Sequence, residues 1–161
     1  MKDISMMVDS TKFNYRAGIW IEKENKVYVE FNPDIDFTTL PGGRIKALES
    51  SKEGLIREME EEMHISFTKE ELNLKTVLEN FFSFEGTNYH ELYFLYQIKL
   101  STEDNRFLEN AKNYDSSNHY YRWIEIEKLG EVKLLPEVLR KPKDRVEHII
   151  LDELKGEVSY E

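Results

Sequence analysis

Runs of branched and aromatic residues recur along the chain, broken by short polar segments, and only a few stretches carry the three-to-four-residue period of a helix. Gly18-Ile19-Trp20-Ile21 and Val27-Tyr28-Val29-Glu30-Phe31 are β-rich runs separated by Glu22-Lys23-Glu24-Asn25-Lys26, which predicts a hairpin. Residues 74–84 and 89–100 repeat that pattern around Glu85-Gly86-Thr87-Asn88 and predict a second hairpin, and Tyr120-Tyr121-Arg122-Trp123-Ile124-Glu125-Ile126 returns to a strand pattern. From Ser51 to Met63 the period turns helical, with Ser50 or Ser51 available as N-cap and acidic residues in the first turns. Two more helices are predicted near the C-terminal end, a short one opened by Pro136 and ending before Pro142, and an amphipathic one over residues 144–154. Thr38-Thr39-Leu40 runs into the sharp break Pro41-Gly42-Gly43, while residues 101–119 are mostly polar and read as a long loop that either covers a site or is simply mobile. Strands on both sides of a central helix, with helices at the end, predict a mixed β-sheet covered by helices.

The helix after the glycine break carries the chemistry. At 100° per residue, with Leu55 at zero, Ile56, Met59 and Met63 fall within roughly the next 100° and form a buried stripe. Glu61, Glu58 and Glu62 fall at roughly 240°, 300° and 340°, so three like charges share one face beside that stripe. Their spacing of three and four residues converges carboxylate oxygens on a shared point, which hard divalent cations require, and magnesium or manganese relieves the repulsion. Gly42 and Gly43 let the main chain approach a ligand with no side chain between. Arg57, at roughly 200°, is placed to orient a carboxylate or to pair with Glu53 one turn earlier.

Composition narrows the classes. A chain of 161 residues suits one domain, spanning 1–161, with a core of ordinary size. With no cysteine, a disulfide framework, a thiolate metal site and a cysteine nucleophile are all excluded. The first nine residues lack the apolar centre of a signal peptide and no apolar run reaches membrane-spanning length, so the expected location is cytoplasmic, with no membrane partner. A net charge of −10 argues against gripping polymeric nucleic acid, which needs clustered Lys and Arg to displace counterions. A small anionic substrate remains compatible with that charge when cations offset the field of the carboxylates.

The segment resembles the sequence box of the Nudix hydrolase family, Gly-x5-Glu-x7-Arg-Glu-apolar-x-Glu-Glu-x-Gly-apolar. Gly43, Glu49, Arg57, Glu58, Met59, Glu61, Glu62 and Ile65 occupy its positions, and His64 stands where the family has its last glycine. The resemblance implies an α/β/α sandwich with a mixed β-sheet and metal-assisted cleavage of a phosphoanhydride in a small nucleotide-type substrate: a nucleoside triphosphate, a nucleotide sugar or ADP-ribose. It implies that Glu58, Glu61 and Glu62 hold Mg2+ or Mn2+ with the Gly43 carbonyl as a further ligand, that Arg57 orients carboxylates, and that Glu49 is a secondary ligand or structural acid. It also implies a homodimer as one assembly. His64 is expected in the left-handed conformation of a residue just past a helix end, at a cost of about 1 kcal/mol relative to glycine.

The general base is not fixed by the motif; Glu91 and Asp115 are candidates outside it, with Asp115, Gly42, Gly43 and Phe82 as candidate substrate contacts. Tyr28, Phe84, Tyr93 and Tyr96 join Phe82 as aromatic residues that either stack on a base or fill the core. His90 and His119 lack metal-type spacing and read as structural or exposed. The alternative function is a non-catalytic Nudix-like sensing domain, which the retained box acids disfavour. An isopentenyl-diphosphate isomerase, which shares the fold by resemblance, would require a cysteine this chain lacks.

Overall fold

The computed structural model describes all 161 residues. In chain order the strands and the helix are β1 (Ser5–Val8), β2 (Thr11–Lys23), β3 (Lys26–Phe31), β4 (Thr38–Thr39), β5 (Gly42–Arg44), α1 (Ser51–Met63), β6 (Asn73–Phe84), β7 (Thr87–Lys99), β8 (Ala111–Lys112), β9 (Tyr120–Glu125), β10 (Glu147–Asp152) and β11 (Glu157–Tyr160). Eight of them run across one sheet in the order β11-β10-β6-β7-β2-β3-β9-β8. The β2–β7 and β10–β6 pairs are parallel and the others antiparallel, so the sheet is mixed, as the strand pattern predicts.

Both predicted hairpins form. Glu24 and Asn25 adopt φ of 50° and 62° in the first turn, the left-handed pair that matches the twist of the flanking strands. Beyond that turn β2 and β3 separate: their ladder is limited to Glu22 opposite Val27 and Lys23 opposite Lys26. The space between them is taken by β5, which pairs Arg44, Gly43 and Gly42 with Arg16, Ala17 and Gly18 of β2. The glycine break is thereby built into the sheet at the point where its two halves diverge.

Side chains of β2 alternate between two cores. Ala17, Ile19 and Ile21 join Leu55, Met59 and Met63 of α1, with Tyr28, Tyr96 and Tyr121, in a layer under the helix. Trp20 joins Val27, Val29, Leu78, Leu95 and Ile149 on the opposite face. The stripe expected on α1 is buried there, with Ile56 partly buried against the same layer. Ser50 is the N-cap: its hydroxyl accepts from the Glu53 N–H, and the Glu53 carboxylate accepts from the Ser50 N–H. At the other end His64 has φ 57° and ψ 35°, and its N–H donates to the Glu60 carbonyl. Its expected left-handed conformation is present.

The C-terminal region departs from the helices predicted there. Residues 144–154 contain β10, which lies parallel to β6 with Glu147 opposite Thr76 and Asp152 opposite Phe81. The segment carries both periods at once. The unpaired edge of β6 offers backbone partners along its length, and Ile149 turns into the lower core as part of a strand. The helix predicted after Pro136 is one 3-10 turn, Glu137–Leu139, which delivers Leu139 to the same core. It cannot extend because Lys141 precedes Pro142, and a residue before proline is pushed out of the helical region. The face away from α1 is therefore closed by 3-10 turns at Ile126–Lys128 and Glu137–Leu139 where the sequence suggests terminal helices. No helix is long and apolar enough to cross a membrane.

Met59 is fully buried between α1 and the sheet. Its replacement by alanine is expected to lower stability by about 2–5 kcal/mol, read as a lower urea midpoint at unchanged m value; a loss below about 1 kcal/mol would contradict the packing described.

Candidate active site

Arg57 organises the acidic face of α1. Its Nε and Nη2 donate to the two oxygens of Glu49, at 3.0 and 2.6 Å, in a bidentate pair. Nη1 donates to Glu58 Oε1 at 2.8 Å and to Glu61 Oε2 at 3.2 Å, while Nη2 also reaches the Arg44 carbonyl at 3.0 Å. The partner expected one turn earlier, Glu53, is instead engaged by the N-cap and by Lys69. Glu49 also accepts from the Lys46 N–H at 2.7 Å, and its carboxyl is held below the usual range chiefly by the Arg57 hydrogen bonds. Glu49 is thus bound to the guanidinium and the loop.

Two glycines make room for these acids. A Cβ on Gly43 would lie 2.4 Å from Glu58 Oε2, so the box glycine is where the Glu58 carboxylate meets the β5 backbone. A Cβ on Gly54, inside α1, would lie 2.8 Å from Glu49 Oε1 and 2.6 Å from Ile45 Cδ1. Glycine in a helix interior costs about 1 kcal/mol relative to alanine, and here it admits the loop that carries Glu49.

Glu62 lies on the side of α1 turned toward β3 and β9. Burial raises its pKa to about 8, reinforced by the charges of Glu30 and Glu58. Burial likewise pushes up Glu58 and Glu30. The Tyr121 hydroxyl sits 3.5 Å from Glu62 Oε2. Glu30 is a member of this group that the motif does not include. It occupies the same face of β3 as Tyr28 and is contacted by His119 Nδ1 at 3.0 Å and Asn113 Nδ2 at 3.3 Å. The available signal is an acid at a position that strand alternation turns toward the core. His119, expected to be structural or exposed, is the side chain that reaches it.

The loop at residues 113–119 is fastened to the helix end. The Tyr114 N–H donates to the Glu62 carbonyl at 2.9 Å, and the Tyr114 ring stacks on His64 with centroids 3.7 Å apart. The polar stretch therefore packs beside the acidic cluster. Asp115 itself is exposed, its N–H bound to Asn113 Oδ1.

On the sheet face opposite α1, a cavity of about 340 Å³ opens beside the gap between β2 and β3. Phe37, Phe82, Phe84 and Tyr93 supply its aromatic walls, Asn80 and Glu91 its polar surface, and Arg16 lines the side toward the acids. The Arg16 charge is felt by both Glu30 and Glu62, lowering each, so this one cation links cavity and cluster. The structure thus brings Phe82, Phe84, Tyr93 and Glu91 together. It places Tyr28 and Tyr96 in the core beneath α1, and leaves Asp115, Gly42 and Gly43 outside the cavity lining. His90 packs edge-on against Phe81 at 4.5 Å, a structural role.

The donor set is all oxygen, as magnesium and manganese prefer. No three acids or imidazoles converge as placed to within ion-holding distance, with Glu58 and Glu61 both drawn onto Arg57 Nη1. Burial and, after it, the charges of Glu30 and Glu58 raise Glu62, and a divalent cation would offset both, so the residues suit one.

A family model for the NUDIX domain matches residues 13–148. An 8-oxo-dGTP diphosphatase of Proteus vulgaris is 33% identical over 79 residues, 47% of this chain and 70% of that protein. Among solved structures, the mutator MutT protein of Bacillus halodurans matches with a TM-score of 0.62 at 18% identity, over 92% of this chain and 96% of that one. The MutT protein of Methanosarcina mazei matches with a TM-score of 0.53 at 20% identity, over 83% and 91%. At these identities the structural matches speak for the fold.

The raised pKa of Glu62 has a direction in pH. A carboxyl whose folded value lies above its unfolded value contributes stability that is complete below the unfolded pKa and is lost as pH rises through the folded one. In metal-free buffer the Glu62 contribution should fade between its ordinary value of 4.5 and about 8. Thermal unfolding in EDTA is expected to show Tm falling across that window more steeply for wild type than for Glu62→Gln, with magnesium restoring stability at the alkaline end. Parallel pH profiles for the two proteins would show that Glu62 is not held protonated by burial and like charge as described.

Proposed function

Because the chain belongs to the Nudix family and is a pyrophosphohydrolase of that family, we propose that it hydrolyses the phosphoanhydride of a nucleoside diphosphate joined to a second group, as in a nucleoside triphosphate, a nucleotide sugar or ADP-ribose. The observation that carries this reading is the position of Arg16, which lines the aromatic cavity while its charge reaches Glu30 and Glu62. A substrate seated by its nucleoside part in the cavity has its phosphates directed past Arg16 toward the acids of α1.

Glu58, Glu61 and Glu62 would hold magnesium or manganese, with the Gly43 carbonyl as a further oxygen beside Glu58. Such an ion supplies Lewis-acid stabilisation of charge on the phosphates and lowers the pKa of bound water. Arg57 keeps Glu58 and Glu61 in place and is itself fixed by the bidentate Glu49 pair, so Glu49 acts through the guanidinium. Arg16 neutralises a substrate phosphate that the acids would otherwise repel. Gly43 brings the β5 backbone against the Glu58 carboxylate, and Phe82 offers a flat apolar surface to the nucleoside.

Turnover of a panel of nucleoside diphosphate derivatives, followed by phosphate release after a coupling phosphatase, should require magnesium or manganese and stop in EDTA. Glu62→Gln is expected to lose at least about 100-fold in kcat while keeping its circular dichroism, and Arg57→Lys to lose about 10–100-fold with weaker metal activation. A folded Glu62→Gln protein with undiminished metal-dependent turnover would refute the assignment.

A further inference from the structure

The acids around α1 are oriented from two sides, and only one of the two devices lies in the motif. For Glu49, Glu58 and Glu61 it is the Arg57 guanidinium. For Glu30 and Glu62 it is an amide. Asn113 directly follows β8, is buried at 4% exposure, and donates its backbone N–H to the His119 carbonyl at 2.8 Å. Its Oδ1 accepts from the N–H groups of Asp115 and Ser116, at 2.8 and 3.0 Å. Backbone N–H groups only donate, so the orientation of the amide is fixed and its NH2 turns to the acids. One N–H of that group reaches Glu30 Oε1 at 3.3 Å. Burial and the charges of Glu30 and Glu58 raise the Glu62 carboxyl, and the Asn113 amide is among the groups that draw it back, so the same NH2 serves both acids. The next residue completes the attachment, since the Tyr114 N–H donates to the Glu62 carbonyl at 2.9 Å.

We propose that Asn113 is a positioning residue for the hydrolysis, its NH2 bridging Glu30 and Glu62 and so fixing the Glu62 carboxylate as a ligand for the divalent cation. The inference rests on the metal-dependent reading above. A neutral donor does here what a second guanidinium could not. Neighbouring carboxylates repel, and a lysine or arginine between them would relieve that by cancelling the negative charge a divalent cation needs. Amide N–H groups orient both carboxylates by hydrogen bonds and leave their charge in place. Asn113 does not line the aromatic cavity, so its loss falls on metal binding and turnover and leaves the seat of the nucleoside intact.

Two measurements test this: Mn2+ binding to the substrate-free protein by electron paramagnetic resonance, and steady-state hydrolysis of the best substrate of the panel above at saturating metal. Asn113→Ser keeps an oxygen for the loop N–H groups and is too short to reach the acids. It is expected to weaken Mn2+ binding roughly 10–100-fold and to lower kcat by a similar factor, with KM within about threefold of wild type. Tyr114→Ala removes the stack on His64, which anchors the loop without touching either carboxylate, and should leave Mn2+ affinity and kcat close to wild type. If Asn113→Ser does not fold, Asn113→Asp carries the test: it retains an acceptor for the two loop N–H groups and lacks the donors, and its kcat should fall at least about 10-fold. Unchanged Mn2+ affinity in folded Asn113→Ser, wild-type kcat in Asn113→Asp, or equal losses in Asn113→Ser and Tyr114→Ala would overturn the proposal, the last because Asn113 would then act only through the loop. Metal-dependent hydrolysis with Mn2+ affinity indifferent to Asn113 removes this inference and leaves the hydrolase reading standing. Mn2+ binding that depends on Asn113, without hydrolysis of any nucleotide, does the reverse.

Discussion

Confinement of like charge holds the key to this molecule. Glu58 is buried and Glu62 half-buried on one face of a helix, with Glu30 near them on a neighbouring strand, so desolvation pushes all three toward the protonated form and like charge adds to it at Glu58 and Glu62. One guanidinium counters part of this, because Arg57 binds Glu49, Glu58 and Glu61 together and so sets the orientation of the acidic face. In a partly buried network of this kind, removing a single member costs more than its pair's net worth suggests, since it strands the remaining charges.

Much of the surrounding architecture serves that arrangement. The sheet parts between β2 and β3, and the glycine strand inserted there gives Glu58 a bare backbone to lie on. The loop carrying Glu49 can approach α1 only because residue 54 has no side chain. Farther along, the left-handed His64 ends the helix where Tyr114 can stack on its ring, so the residue that departs from the family glycine also anchors the loop bearing Asn113. Placement of charge and packing are in this sense one design, with the same short segment setting both.

The helix and its acidic face were legible in the sequence because they are local: a period of 3.6 with fixed offsets defines which side chains share a face. Both hairpins were legible for the same reason, through alternation and turn residues. Residues 144–154 were not, since Val146, Ile149 and Ile150 satisfy a helical face as well as a strand, and the choice is made by the free edge of β6, some seventy positions earlier. Glu30 escaped the motif because its role depends on β3 lying beside the helix, a relation that spacing along the chain does not encode. His119 escaped for the complementary reason: its partner is Glu30, and without one the other looks like an ordinary loop residue.

The short ladder between β2 and β3 has a mechanical corollary. With backbone pairing confined to the two rungs next to the Glu24–Asn25 turn, the halves of the sheet are like covers joined at a spine, and beyond it the inserted β5 segment is the wedge that holds them apart. The span between the covers is then governed by side-chain packing and by the wedge. The wedge is itself tightly seated, since a side chain at Gly42 would collide with the β2 backbone at Ala17, so added girth there would spread the covers further.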